Sequence, residues 1–383
     1  LEKDMAALKK TAPASPLMKV RVISQRTKDA RVSHILRRGE FKQPLGEVIP
    51  GTLSSLPSPA LRNPENGDPK NGDRLDMARW LVNGENPLTP RVTVNHIWGI
   101  LFGEGIVRTI NDFGVRGDRP THPDLLDWLA RRFIDLDWSR KALIKTIVMS
   151  ATYRQSSKHR PELADIDPTN RLLYRQNRFR VEAEILRDLS LAVSGLLSRE
   201  IGGPSVFPPM PPDAAAVNYN SAFKWKTSEN GNQHRRGIYT FFKRTAPHPN
   251  LTTFDCPDSN VTCVKRTRSN TPIGALASLN NTVYVEAAQA FGGRLLRREF
   301  ASDRERMEHA FRACVARPPV VAETDRLMTV LAAGLDWYGS HEEEARKIAG
   351  AQASLDCGPV AEYAAWIATV RVLLNLDEFI TRE

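Results

Sequence analysis

The chain has 383 residues, enough to bury a core and to hold two or three domains. With 41% apolar and 26% charged residues it has the balance of a globular protein, and no apolar run reaches the roughly 18 residues that a membrane-spanning helix needs. Lys and Arg outnumber Asp and Glu by 54 to 44, a net charge of +10 that favours an acidic partner. Leu1 to Asp4 are largely charged, lack the apolar stretch of a secretory signal and include no initiator Met, so the chain is expected to be a piece of something longer.

Residues 1–72 read as an extended lead-in. Residues 18–23 (MKVRVI) alternate apolar and basic side chains, which predicts a strand, and residues 43–71 are crowded with Pro, Gly, Ser and Asn. Helices follow over 73–199. The first carries Leu75, Ala78, Leu81 and Val82 on one face. A second starts at Thr89 and Pro90, buries Val92, Ile97, Trp98 and Leu101, and stops at Gly103. Thr121 is expected to cap a third, with Asp124 at its positive end. Ser139 caps a fourth that runs to Tyr153, and Val181, Ile185, Leu189, Val193 and Leu196 stripe a fifth.

Residues 200–270 break this pattern. Pro204, Pro208, Pro209, Pro211 and Pro212 forbid regular helix, and Ile238 to Phe242 reads as a short strand. Helices resume at Thr271 and Pro272 and fill 271–383, with breaks near 302, 318, 339 and 358. The expected fold is mainly α, a multi-helix globular domain with an irregular Pro-rich insert and one or two short β elements. Cys256 and Cys263 could pair in an oxidising compartment, as could Cys314 and Cys357, or each could stay a small buried hydrophobe. No C-x-x-C-H stretch exists to attach haem c, so no cofactor is expected on this chain.

Ten stretches have a familiar order and spacing. They are residues 86–95 (NPLTPRVTVN), 101–107 (LFGEGIV), 112–114 (DFG), 120–129 (PTHPDLLDWL), 151–157 (ATYRQSS), 235–239 (RRGIY), 243–247 (KRTAP), 253–255 (TFD), 269–272 (SNTP) and 373–379 (LLNLDEF). Together they resemble the C-terminal domain of unknown function of large secreted planctomycete-type proteins, where it follows a cytochrome-c-like domain. The resemblance covers roughly residues 30 to 383 and departs at His96, where the family usually has Arg. It implies a secreted or periplasmic protein, with haem c on a missing upstream segment or on a partner.

The chemistry-bearing residues form four groups. His122 and Asp124 could contribute to a metal site or an acid/base pair, although the same residues fit a helix start. Glu182, Glu184, Asp188 and Asp255 are the candidate catalytic carboxylates; Glu184 and Asp188 lie four apart on one helix, where Arg180 and Arg187 offer an ion-pair network instead. His234 and His248, with Asp255, could form a metal site, but their spacing matches no metal motif. Residues 220–270 hold nine basic against three acidic side chains, interleaved with aromatics. Arg235, Arg236, Arg244, Arg266 and Arg268 would supply charge to a bound polyanion, and Trp225 and Tyr239 would stack on its rings. The bland alternative is that these arginines tie an irregular loop to carbonyls and carboxylates of the helical body.

The leading expectation is therefore an extracytoplasmic binding or scaffolding module that docks an acidic polysaccharide or a haem-bearing protein partner. The alternative is an enzyme acting on exported acidic or sulfated polysaccharide through paired carboxylates. Nucleic acid is disfavoured, because no helix-turn-helix, RRM or zinc-finger pattern is present.

Overall fold

A computed structural model of the protein describes residues 22–24, 32–57, 72–211, 224–350 and 357–382. Among these the fold is mainly α, with two small two-stranded sheets. The chain divides into two compact units, residues 1–94 with 124–140, and residues 95–123 with 141–383. The strand expected over residues 18–23 lies largely outside the described residues, as does Pro212.

In the first unit, β1 (Ser33–Leu36) and β2 (Pro44–Val48) form an antiparallel hairpin, with Ser33 opposite Val48. All of its residues are exposed, and the sequence reading missed it within the lead-in. α1 (Arg74–Leu81) starts with a reciprocal cap, in which Asp73 accepts from the Asp76 N–H at 2.8 Å and Asp76 accepts from the Asp73 N–H at 3.1 Å. Its expected face is corrected: Leu75, Leu81 and Val82 are exposed, while Trp80 is buried and donates its indole N–H to the Pro57 carbonyl at 3.0 Å. α2 (Leu88–Phe102) carries the chain into the second unit. α3 (Pro123–Asp135) is strongly amphipathic and buries Leu126, Leu129 and Phe133, while its exposed Asp127 pairs with Arg91 at 2.6 Å.

In the second unit, the helix expected from Ser139 to Tyr153 is two helices, α4 (Arg140–Val148) and α5 (Ala151–Arg154). The break follows from Ser150, whose side chain accepts from the Tyr153 N–H at 3.2 Å and so starts a new turn. α6 (Pro161–Ala164) and β3 (Phe179–Arg180) lead to α7 (Ala183–Ser194). The buried stripe of α7 is Ala183, Leu186, Arg187, Ser190, Leu191 and Ser194, rotated from the predicted one, and Ile185 is exposed. Within the insert the only described helix of five residues or more is α8 (Pro249–Thr253). The strand expected over Ile238 to Phe242 is a 3-10 turn at Gly237–Tyr239 with isolated bridges at Arg235 and Thr240.

α9 (Pro272–Asn280), α10 (Thr282–Arg297), α11 (Asp303–Val315), α12 (Val321–Ser340), α13 (Glu342–Ala349), α14 (Val360–Leu373) and α15 (Asp377–Ile380) follow, with the expected breaks. α14 is apolar around most of its circumference, with Glu362 and Arg371 as its charged exceptions, which suits a helix enclosed by its neighbours. Tyr363, Trp366, Ile367, Val370 and Leu373 are each at most 1% exposed, and α10, α12 and α13 pack against them. α7 packs on α10, so the core joins the insert's anchor helix to the C-terminal bundle. β4 (Thr381–Arg382) then pairs antiparallel with β3.

Candidate functional site

Most of the basic insert is tied down from within. Arg187 projects from α7 into the core and donates to the carbonyls of Arg235, at 2.7 Å, and Gln233. Arg235 is itself buried, with its guanidinium on the carbonyls of Pro204, Glu200 and Gly202 and over the Tyr239 ring at 4.0 Å. The Tyr239 hydroxyl accepts from the Gly202 N–H at 2.8 Å. This explains the missing strand. Gly237 lies so close to α7 that a Cβ there would stand 2.8 Å from the Glu184 Cβ and 2.9 Å from its carbonyl oxygen, a fit only glycine permits. The Gly237 N–H donates to Asp188 at 2.6 Å, and the same carboxylate takes the Arg236 guanidinium at 3.4 Å. Burial nevertheless pushes the Asp188 carboxyl above its ordinary value.

The other candidate carboxylates are engaged as well. Burial pushes Glu184 up, but the Arg266 fork outweighs it and holds the carboxyl below its usual range. Arg266 also reaches Glu182 at 3.4 Å. Asp255 binds Ser269 through its backbone N–H at 2.7 Å and through its hydroxyl. Trp225 sits edge-on to Phe207 and donates to the Pro208 carbonyl at 2.9 Å, so its ring belongs to an aromatic cluster with Phe241.

The histidines are held in the same way. His248 is buried, with Nε2 3.0 Å from the Pro209 carbonyl and Nδ1 accepting from the Asn250 N–H; burial lowers its pKa and keeps it neutral. His234 lies 2.8 Å from Glu286. His122 Nδ1 is 2.9 Å from the Thr121 hydroxyl, which also lies 3.4 Å from the Ile106 carbonyl, while Asp124 is exposed in the first turn of α3. Among the described residues no group of three or more His, Cys, Asp or Glu could hold a metal ion. All four cysteines are unpaired, and burial with the Glu184 charge pushes the Cys256 thiol up to about 11.

Arg268 and Arg244 differ from the rest. Arg244 is exposed, and neither guanidinium has a hydrogen bond or ion pair with a described residue. Arg268 lies over the Phe179 ring at 4.3 Å, and Arg382 lies over the same ring at 4.5 Å. Arg382 donates to the carbonyls of Ile100 and Leu101 at the C-terminal end of α2, where a cation is favoured. Loss of water lowers the pKa of Arg268, the Glu182 charge opposes this in part, and the neighbouring Arg382 charge adds to the lowering.

Three clefts meet at Arg268: a narrow one of about 20 Å³, lined by Glu182, Phe254, Asp255, Arg266 and Ser269, and two roomier ones. One, of about 440 Å³, is lined by Arg178, Phe179, Arg180, Ser269 and Asn270. The other, of about 270 Å³, is lined by His96, Gly103, Glu182, Cys263, Lys265 and Arg266. The Arg180 and His96 side chains, like that of Arg268, have no hydrogen-bonded or ionic partner among the described residues. Phe179 was overlooked in the sequence because it precedes the basic insert, and Arg180, expected in an ion-pair network with the carboxylates, has no such partner among the described residues. A signal was present, since Tyr174, Arg175, Arg178, Phe179 and Arg180 mix cations and aromatics as the insert does.

No helix among the described residues is long and apolar enough to cross a membrane. No curated protein and no solved structure matches the chain. One family does, over residues 73–331, which is more than half of the sequence. The chain therefore belongs to the PSD1 family, described as proteins of unknown function (DUF1553).

Proposed function

We propose that the chain is a binding module of an exported protein and that its second unit docks an acidic or sulfated polysaccharide at the clefts around Arg268. The observation that carries this reading is the set of unpaired cations there. Arg268 and Arg180 line the largest of these clefts without an ion pair to a described carboxylate, its Asp377 being paired with Arg178 at 3.4 Å, and Phe179 holds the Arg268 plane in place. Guanidinium groups bind sulfate and carboxylate in two-point fashion, and a positioned guanidinium loses less freedom on binding than a mobile one. Export and a cytochrome-c-like neighbour in the same protein are what the family resemblance supports, and an acidic face of such a haem-bearing partner would meet the same cations. The enzymatic alternative has less support, because Glu184 and Asp188 are held by Arg266, Arg236 and Gly237 and line none of these clefts, while Glu182 and Asp255, which do line them, are engaged by Arg266 and by Ser269.

Calorimetric titration with sulfated, carboxylated and neutral glycans at several salt concentrations tests this. Charged glycans should bind with an affinity that falls as salt rises. Arg268→Ala should weaken binding about tenfold, in line with one charge-assisted contact. Binding that ignores both salt and Arg268 would exclude the reading.

A further inference from the structure

A second basic cluster lies on the C-terminal bundle and shares no residue with the clefts. Arg294 stands in the last turn of α10 and Arg298 is its C-cap residue, so both lie at the same end of that helix. His309 and Arg312 stand three apart on α11 and share a face. A hydrogen bond joins the two pairs, with Arg298 Nη1 3.3 Å from His309 Nε2. Phe300, in the link between the helices, supports the junction: its ring centroid is 5.1 Å from the Arg298 guanidinium and 5.3 Å from the His309 ring. All three arginines are exposed.

What the cluster lacks is a counter-charge. Arg294, Arg298 and Arg312 make no ion pair with a described carboxylate. The acids close by in sequence are Glu299, Asp303, Glu305 and Glu308; Asp303 pairs with Arg306, the other three pair with no cation, and Glu305 instead accepts from the Ala301 N–H at 2.8 Å. Burial and then the charges of Arg298, Arg294 and Arg312 hold His309 below its ordinary pKa, as expected where cations crowd without an anion.

The geometry points to an anion-binding site on this face, taking a sulfate or phosphate group between the Arg294–Arg298 and His309–Arg312 pairs. A tetrahedral oxyanion suits it better than a carboxylate. Its oxygens point in several directions, and its charge can meet donors that arrive from two helices, whereas a planar carboxylate satisfies a single fork. His309 would add its own positive charge once the anion has raised its affinity for a proton.

The test follows the His309 ring signals by NMR in the full chain with labelled histidine, assigned with His309→Gln. Sulfate, phosphate or a sulfated disaccharide replaces chloride at constant ionic strength. The expected result is an upward shift of the His309 midpoint by about half a pH unit or more. Arg298→Ala and Arg312→Ala should each reduce that shift, and Arg312→Lys should keep part of it. Unchanged signals from the other histidines would verify the fold of each variant. A shift with the disaccharide alone supports the site and makes its ligand a sulfated glycan; a shift with the free ions also supports it and shows that the anion suffices. No shift with any probe, or a full shift retained in the Arg298→Ala/Arg312→Ala double variant, overturns it.

Discussion

Arg266 lies in a two-point fork on Glu184, with Nη1 at 2.7 Å and Nη2 at 3.2 Å from the two carboxylate oxygens. This pair joins the far end of the insert to the first turn of α7. Because the folded-state pKa of Glu184 is depressed, its contribution is complete above the unfolded value and is lost as pH falls through the folded one. Glu184→Gln should therefore cost about 1–3 kcal/mol near neutral pH, with the gap to the parent closing as pH drops below about 4. Urea unfolding of both proteins across that range measures it. Asp188 has the opposite sign: its raised pKa favours the folded state at low pH, and that advantage is lost as pH rises through the folded value.

Arg235 and Arg244 should respond in opposite ways to truncation. Arg235→Ala strips a buried guanidinium from three carbonyls and from the Tyr239 ring, and should destabilise the protein by about 2–4 kcal/mol. Arg244→Ala removes an exposed, unpaired side chain and should change stability by less than about 0.5 kcal/mol. Thermal melts of the two variants side by side decide this. An equal response would mean that the Arg235 contacts contribute little.

Asn95 grips both sides of one residue's backbone, accepting from the Val107 N–H at 2.8 Å and donating to the Val107 carbonyl at 2.9 Å. The site is fully buried, so Asn95→Ala leaves two polar groups without partners and should cost about 2–4 kcal/mol. Gly105→Ala should do comparable damage, since its Cβ would stand 2.6 Å from the Val107 oxygen and 2.7 Å from the Asn95 amide nitrogen. Chemical denaturation of both single variants and the double would show less than additive losses if they disrupt one shared contact.

Arg317 bridges two acids, with Nη2 2.6 Å from Glu323 and Nε 2.8 Å from Glu378. The hydrogen bonds from Arg317 hold the Glu323 carboxyl down at about 2. Carbon-detected NMR titration should find it well below the ordinary range in the parent, and back near about 4.3 in Arg317→Ala. An unchanged midpoint would mean that Arg317 is not the cause.

The helical character and the breaks of the C-terminal half were legible because their causes are local. Ser302 accepts from the Glu305 N–H and starts α11, and Pro318 and Pro359 stand where chain cannot continue as helix. The face of α7 was not legible, because Arg187 occupies a core position that looks polar until the carbonyls of Gln233 and Arg235 are brought to it. The strand expected at Ile238 failed for a similar reason, as it depends on Gly237 meeting Glu184 across more than fifty residues of chain. The basic insert was visible in composition, yet composition could not separate Arg235, spent on carbonyls, from Arg268, left open over Phe179.

The placement of α14 governs how the protein can be made. It is deeply enclosed, and it is synthesised after α10, α12 and α13, the helices that pack against it. At roughly 5–20 residues per second, α10 waits on the order of ten seconds before the helix it packs against is synthesised. Through that interval the sides of α10 and α12 that face α14 have no cover, which makes the nascent chain a client for holding chaperones. Chains that stop short of residue 360 never acquire the cover, and they are the products that proteolysis should remove first.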